Sequence, residues 1–385
     1  MRRFIRAALF IGVLFALPLS LVVGDDAQPA ARPVLSVSLP SESAPPDSTG
    51  EWTGRVVGIP GATPLDERKG AATALATFRA TILLHGKRYT FTMVGSNPFL
   101  RGAKNVVVPV QIFPVRFEFP DGTVLDPTEA NDCAGGGAPL DLVLQSPLFQ
   151  DADYGEGPRQ FVEEVRRLEF WSFTGPGALN PRYSVRVAAS VPASIRVVLP
   201  AGYQTRSAPC GRSAIISIQN WQQILTQLSP QFRKLGVSAK TFPLFLTVSV
   251  ATSLPNDGLA FGFHSAARGQ TYGVAMWDAT GYTPINPDIS ILSHELAEWY
   301  DDPFVNNATP PWGHVGQVSG CQANLEVGDP LSGHLFGEIR MPNGFTYKPQ
   351  ETAFFSWFFA QVPSWGIGGW YSSANTFQAP AALCH

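Results

Sequence analysis

Between residues 286 and 303 the chain reads NPDISILSHELAEWYDDP, and Ile289, Leu292, Leu296 and Trp299 recur at spacings of three and four, which predicts one packed face of a helix. His294, Glu295, Glu298 and Asp302 fall on the opposite face. Asn286 suits the cap, Pro287 the first helical position and Asp288 the positive end of the dipole, while Pro303 stops the ladder. A second helical period runs through NWQQILTQLSPQFRKLG, with Trp221, Ile224, Leu225, Leu228, Phe232 and Leu235 on one face and Gly236 as its stop. A shorter one spans 158–171, where Phe161, Val165 and Leu168 share a face and the acids and arginines read as solvated. A last short helix is expected over 351–360.

Elsewhere the period falls to that of strands. The segments TGRVVGI, TFRATILLHGKRYTFTMVG with a turn at His85 to Lys87, NVVVPVQIFPVRFEF and, after a turn at Asp121 and Gly122, TVLD predict a β-rich stretch, with further strands near 184–187 and 195–198. Later, TFPLFLTVSV, GLAFGFHSA and QTYGVAMWD precede the 286–303 helix. An antiparallel edge strand in this layout can hold an extended peptide, and His264 falls on that edge, where a histidine is commonly a packing or surface residue.

Composition narrows the class. The 385 residues are 45% hydrophobic, enough for sizeable cores, and 36 Gly with 34 Pro argue for many turns and against an all-helical architecture. A net charge of −3 without a long basic run excludes nucleic acid as the expected partner. The opening MRRFIRAALFIGVLFALPLSLVVGDD reads as a signal peptide over 1–24. Residues 25–50, rich in Pro, Ser and Ala, read as a disordered linker. These features predict a secreted or periplasmic, cell-envelope protein without stable membrane insertion after cleavage. Its four cysteines are expected to form Cys133–Cys210 and Cys321–Cys384, one staple in each half, although three pairings are open. A boundary near 205 would separate a β-rich accessory or pro-domain (51–205) from a second domain (206–385), giving an α+β protein overall. Composition does not indicate oligomeric state.

The spacing His294-Glu295-x-x-Glu298 carries the chemistry. Two side chains four apart on a helix can reach one zinc ion while the intervening Glu295 polarises bound water, and a carboxylate at the second position is an acceptable ligand. The bland alternative is a surface His/Glu pair worth a few tenths of a kcal/mol. A third ligand is needed, and GCQANLEVGDPLSG offers Glu326, with Asp329 orienting a ligand or replacing it and Asp302 as another substitute. Gly328, Asp329 and Pro330 also fit an ordinary turn. His314 and His334 are further candidates as ligands or donors. The aromatics Trp357, Trp365, Trp370 and Tyr371 fit core better than a sugar platform.

HELAE followed by an acidic ligand candidate resembles the zincin metallopeptidases whose third ligand is Glu, the gluzincin type, here as an HExxE variant. The resemblance covers residues 286–330. The same HELAE, the following DP and the later EVGD also resemble the secreted phosphate-induced, Exordium-type proteins. The zincin resemblance implies a zincin-like catalytic domain over 206–385 and a zinc-dependent peptidase acting on peptide or protein substrates. His294, Glu298 and Glu326 would hold Zn2+, Glu295 would be the general base, and His334 or Tyr347 would stabilise the oxyanion. The competing expectation is a non-catalytic extracellular binding protein with a structural ion or none. A glycosidase using Glu295 and Glu298 is disfavoured, because both acids sit on one side of one helix. Cys210 in SAPCGRSA also resembles, faintly, the cysteine latch of some secreted zincins.

Overall fold

The computed structural model describes residues 32–40, 74–255, 258–281, 287–382 and 384. The expected signal peptide, most of the linker, the TGRVVGI strand and Asn286 lie outside them.

The longest strand, Val106–Glu118, organises the main sheet because its apolar residues are continuous enough to be buried on both faces. Its first half pairs in parallel with Val185–Ser190 and its second half with Ser194–Val198. Its other edge pairs in parallel with Phe242–Val248, whose seven residues are all buried. Gln270–Trp277 follows in parallel, and Gly262–Ala267 closes that side as an antiparallel strand.

Alternation along Phe242–Val248 shows what covers each face. Phe242 stacks on Trp299 of the Ser290–Asp301 helix with centroids 4.1 Å apart. Phe245, of opposite parity, meets Trp221 and Phe232 of the Ile218–Lys234 helix. Helices therefore sandwich the sheet, an α+β architecture in which the HELAE helix lies against the antiparallel edge.

Several expectations change. The sheet draws strands from both sides of residue 205, and the described residues from 33 onward fall in one compact unit, so the expected boundary there is not a break in the sheet. Val34–Ser38, inside the expected linker, is a strand paired in parallel with Ser194–Val198, with Val37 buried. The helix near 158–171 is Phe161–Glu169, and its charged residues are buried rather than solvated. Arg166 pairs with Asp301 at 2.7 Å on the HELAE helix, and Arg167 donates to the carbonyls of Tyr183, Thr174 and Pro181. Buried charges persist here because each meets a fixed partner.

Both expected disulfides are present, Cys133–Cys210 and Cys321–Cys384. Cys210 is thus committed to Cys133 and cannot serve as a latch. No helix among the described residues is long and apolar enough to cross a membrane. The tail helix is only Phe355–Phe358, and Trp357 and Tyr371 are buried in an aromatic cluster in which Trp365 stacks on Phe355.

Candidate metal site

The HELAE helix begins at Ser290, later than the sequence suggested. Asp288 adopts φ 37°, and its carboxylate accepts the N–H groups of Ile289 and Lys348 instead of standing in the first turn. The helix ends at Asp301, and all of its residues are buried. The chemical face is covered because the 326–331 segment and Gln350 lie over it: Gly328 N–H donates to Glu298 Oε1 at 3.1 Å, and Gln350 N–H donates to Ser293 Oγ at 2.8 Å. Glu351 fastens this cover, accepting from Ser372 Oγ and from the N–H groups of Ala374 and Thr376.

Two glycines set how closely the cover and the edge strand approach. A Cβ at Gly328 would sit 2.4 Å from His294 Nδ1, and one at Gly262 would sit 2.7 Å from Glu295 Oε1. Both approaches need the missing side chain.

His294 is oriented from behind. Gln350 Nε2 donates to the Gly328 carbonyl at 2.8 Å, so Gln350 Oε1 is the atom facing His294 Nδ1 at 3.1 Å and accepts its proton. The opposite nitrogen, Nε2, lies 3.0 Å from Glu298 Oε1 and 3.6 Å from Asp329 Oδ1, yet is not aligned for a hydrogen bond with either. Ligands of one ion point at the ion rather than at each other, and zinc bonds of about 2.0–2.1 Å place neighbouring tetrahedral ligands on the order of 3.3 Å apart. Glu295 Oε1 is likewise buried without a hydrogen-bond partner, and Glu298 Oε2 and Glu326 Oε2 have none other than each other's carboxyl when one is protonated. His294, Glu295 and Glu298 each place a ligand atom within 4.8 Å of the others. These orphaned atoms and this donor set fit a divalent cation.

The remaining candidates separate. The contacts of Glu326 run to Glu298 and His264 rather than to His294, and Asn324 Nδ2 donates to its Oε1 at 2.9 Å. Asp329 opens a one-turn 3-10 helix with Pro330, and its carboxylate accepts from Gln317 and from Gln322, the latter at 3.1 Å. It stands beside His294 as an orienting group. The Asp302 carboxylate accepts the N–H groups of Asn306 and Asn307 at 2.9 Å, which ties it to the turn after the helix. His334 is exposed, and Tyr347 donates its hydroxyl proton to the Leu142 carbonyl at 2.7 Å, so neither is brought to the cluster. His314 is exposed beside the Cys321–Cys384 bridge.

Two participants were not assigned from sequence. Gln350 gives no local signal. His264 sits on the Gly262–Ala267 strand fully buried, with Nδ1 3.3 Å from Glu295 Oε2 and 3.6 Å from Glu298 Oε2. An alternating strand makes any inward residue look like core.

The electrostatics follow from burial. Desolvation pushes the Glu295 and Glu326 carboxyls well above the ordinary range and raises Glu298, with neighbouring carboxylates adding to each. Burial pulls His264 down to about 3, leaving it neutral. At His294 burial also acts downward, but the charges of Glu298, Asp329 and Glu295 override it and hold the imidazole protonated. Protons thus occupy the place a cation would take.

Comparison with protein-family models, curated proteins and solved structures returned no match.

Proposed function

We propose that the chain is a metal-dependent peptidase of the HExxE kind, in which His294 and Glu298 hold a zinc ion. The observation that carries this reading is the orientation of His294: Gln350 takes the Nδ1 proton, which commits Nε2 to the position beside Glu298 Oε1 at 3.0 Å. A bound zinc ion would supply Lewis acidity and a water of lowered pKa. Glu295 is the proton carrier. Its Oε1 has no hydrogen-bond partner, and burial raises its carboxyl well above the ordinary carboxylate range. Gly262 lets the edge strand pass directly against that carboxylate. Peptide and protein substrates are proposed on the HExxE pattern.

A second reading is favoured by one observation, the complete burial of His294, Glu295 and Glu298. Structural ions sit in closed sites whereas catalytic ones keep a position open, so a non-catalytic exported protein with a structural ion also fits. Cleavage of an unstructured protein substrate by the zinc-loaded chain, with Glu295→Gln as control, separates the two. The peptidase reading expects cleavage that falls at least about 100-fold in Glu295→Gln with zinc retained. Zinc binding without cleavage in either protein would leave the structural ion.

A further inference from the structure

Glu298 faces two imidazoles with different oxygens. Its Oε1 lies 3.0 Å from His294 Nε2, and its Oε2 lies 3.6 Å from His264 Nδ1. The tautomer of His264 is fixed as firmly as that of His294. Its Nε2 lies 3.1 Å from the Asp302 carbonyl, which can only accept, so the proton is on Nε2 and the lone pair on Nδ1. That lone pair is directed at Glu295 Oε2 and Glu298 Oε2, at 3.3 and 3.6 Å. The 3.3 Å approach to Glu295 Oε2 is a hydrogen bond when that carboxyl is protonated, and a cation can take the place of that proton.

Glu326 completes the second position. One ligand atom from each of His264, Glu298 and Glu326 lies within 4.8 Å of the others. Glu326 Oε2 comes 4.0 Å from His264 Nε2, and Oε2 of both glutamates is buried with no hydrogen-bond partner other than the neighbouring carboxyl when one of the two is protonated. Glu295, Glu298, Glu326 and Asp329 are all buried, and the ion pairs they make among the described residues are with the two histidines. A carboxylate presenting one oxygen to each imidazole has the form of a bridge, and two-metal centres place their ions roughly 3.5–4 Å apart.

We propose that the chain binds a second divalent cation, held by His264 and Glu326 and bridged through Glu298 to the His294 position. This rests on the first position being a metal site, and it makes the centre dinuclear. The mixed carboxylate and imidazole donors suit zinc or manganese.

The test is metal stoichiometry in the full exported chain, titrated with Zn2+ alone and with Mn2+ alone. Two ions per chain are expected, and the Mn2+-loaded protein should give an exchange-coupled paramagnetic resonance spectrum in place of isolated Mn2+ lines. Glu326→Gln and His264→Gln should each retain one ion and restore the uncoupled spectrum. Saturation of the wild-type chain at one ion, or two ions persisting in both variants, would overturn the proposal while leaving the first position standing. No binding at all would overturn both. If either variant fails to fold, the wild-type stoichiometry and coupling still decide.

Discussion

The Nδ1 proton of His294 is donated to Gln350 Oε1 at 3.1 Å, across 56 residues of sequence. Gln350 in turn holds the Gly328 carbonyl, so a single amide ties the helix to its cover. Groups that orient a ligating histidine typically contribute 10–100-fold in metal affinity. Gln350→Met should therefore weaken zinc binding by about that factor, and should lower stability by about 1–3 kcal/mol because two buried polar groups lose their partner. Competition against a chelator measures the first effect and denaturant unfolding the second.

Gly328→Ala tests the closeness of the cover. Its Cβ would meet the His294 ring at 2.4 Å from Nδ1, whereas a Cβ at Gly320 would meet nothing within 4 Å. The ring or the segment must shift, so zinc content should fall sharply in Gly328→Ala and stay unchanged in Gly320→Ala. Elemental analysis of both purified variants checks this.

Burial pushes Asp302 up to about 7 and Asp301 up to about 6. A carboxyl with a raised folded value contributes stability that is fully present below its unfolded value and lost as pH rises through the folded value. His294, held protonated, has the same sign. His264, pulled down to about 3, has the opposite sign, and its contribution changes only below its unfolded value of about 6.5. From about pH 6.5 to about pH 8, chelator-treated protein should become less stable as pH rises. Zinc loading replaces protons at His294 and Glu298 and should flatten or reverse that slope. Thermal unfolding with and without zinc across this window reads the difference.

The Cys133–Cys210 bridge closes a loop of 77 residues. Constraint of the unfolded chain by such a loop is worth about 4 kcal/mol. Replacing both cysteines with serine should lower unfolding free energy by roughly 2–5 kcal/mol, measurable by denaturant titration.

The local periods were legible in the sequence. The Ile218–Lys234 helix and the hairpin of Thr77–Leu84 with Lys87–Val94 follow from spacing and turn chemistry that lie within short windows, and the cysteine pairing agrees with one staple in each half. Parallel pairing was not legible. The register Val110 to Phe242 joins segments more than a hundred residues apart, and no local pattern announces it, so the chain looked divisible where its sheet is continuous. Within the site, the helical spacing placed His294, Glu295 and Glu298 together. His264 was noticed only as an edge-strand residue, because its role depends on which strand faces the helix. Gln350 is not legible because an orienting amide has no sequence signature, and the arginines of Phe161–Glu169 read as solvated because their partners come from other elements.

The most direct test of the metal site is zinc content after loading and desalting, compared between the wild-type chain and His294→Ala. Removing Nε2 leaves Glu298 without the partner that faces it at 3.0 Å, so zinc should be stoichiometric in the wild type and lost from the position built by His294 and Glu298 in the variant. Equal zinc in the two proteins, or no zinc in the wild type, would contradict the assignment.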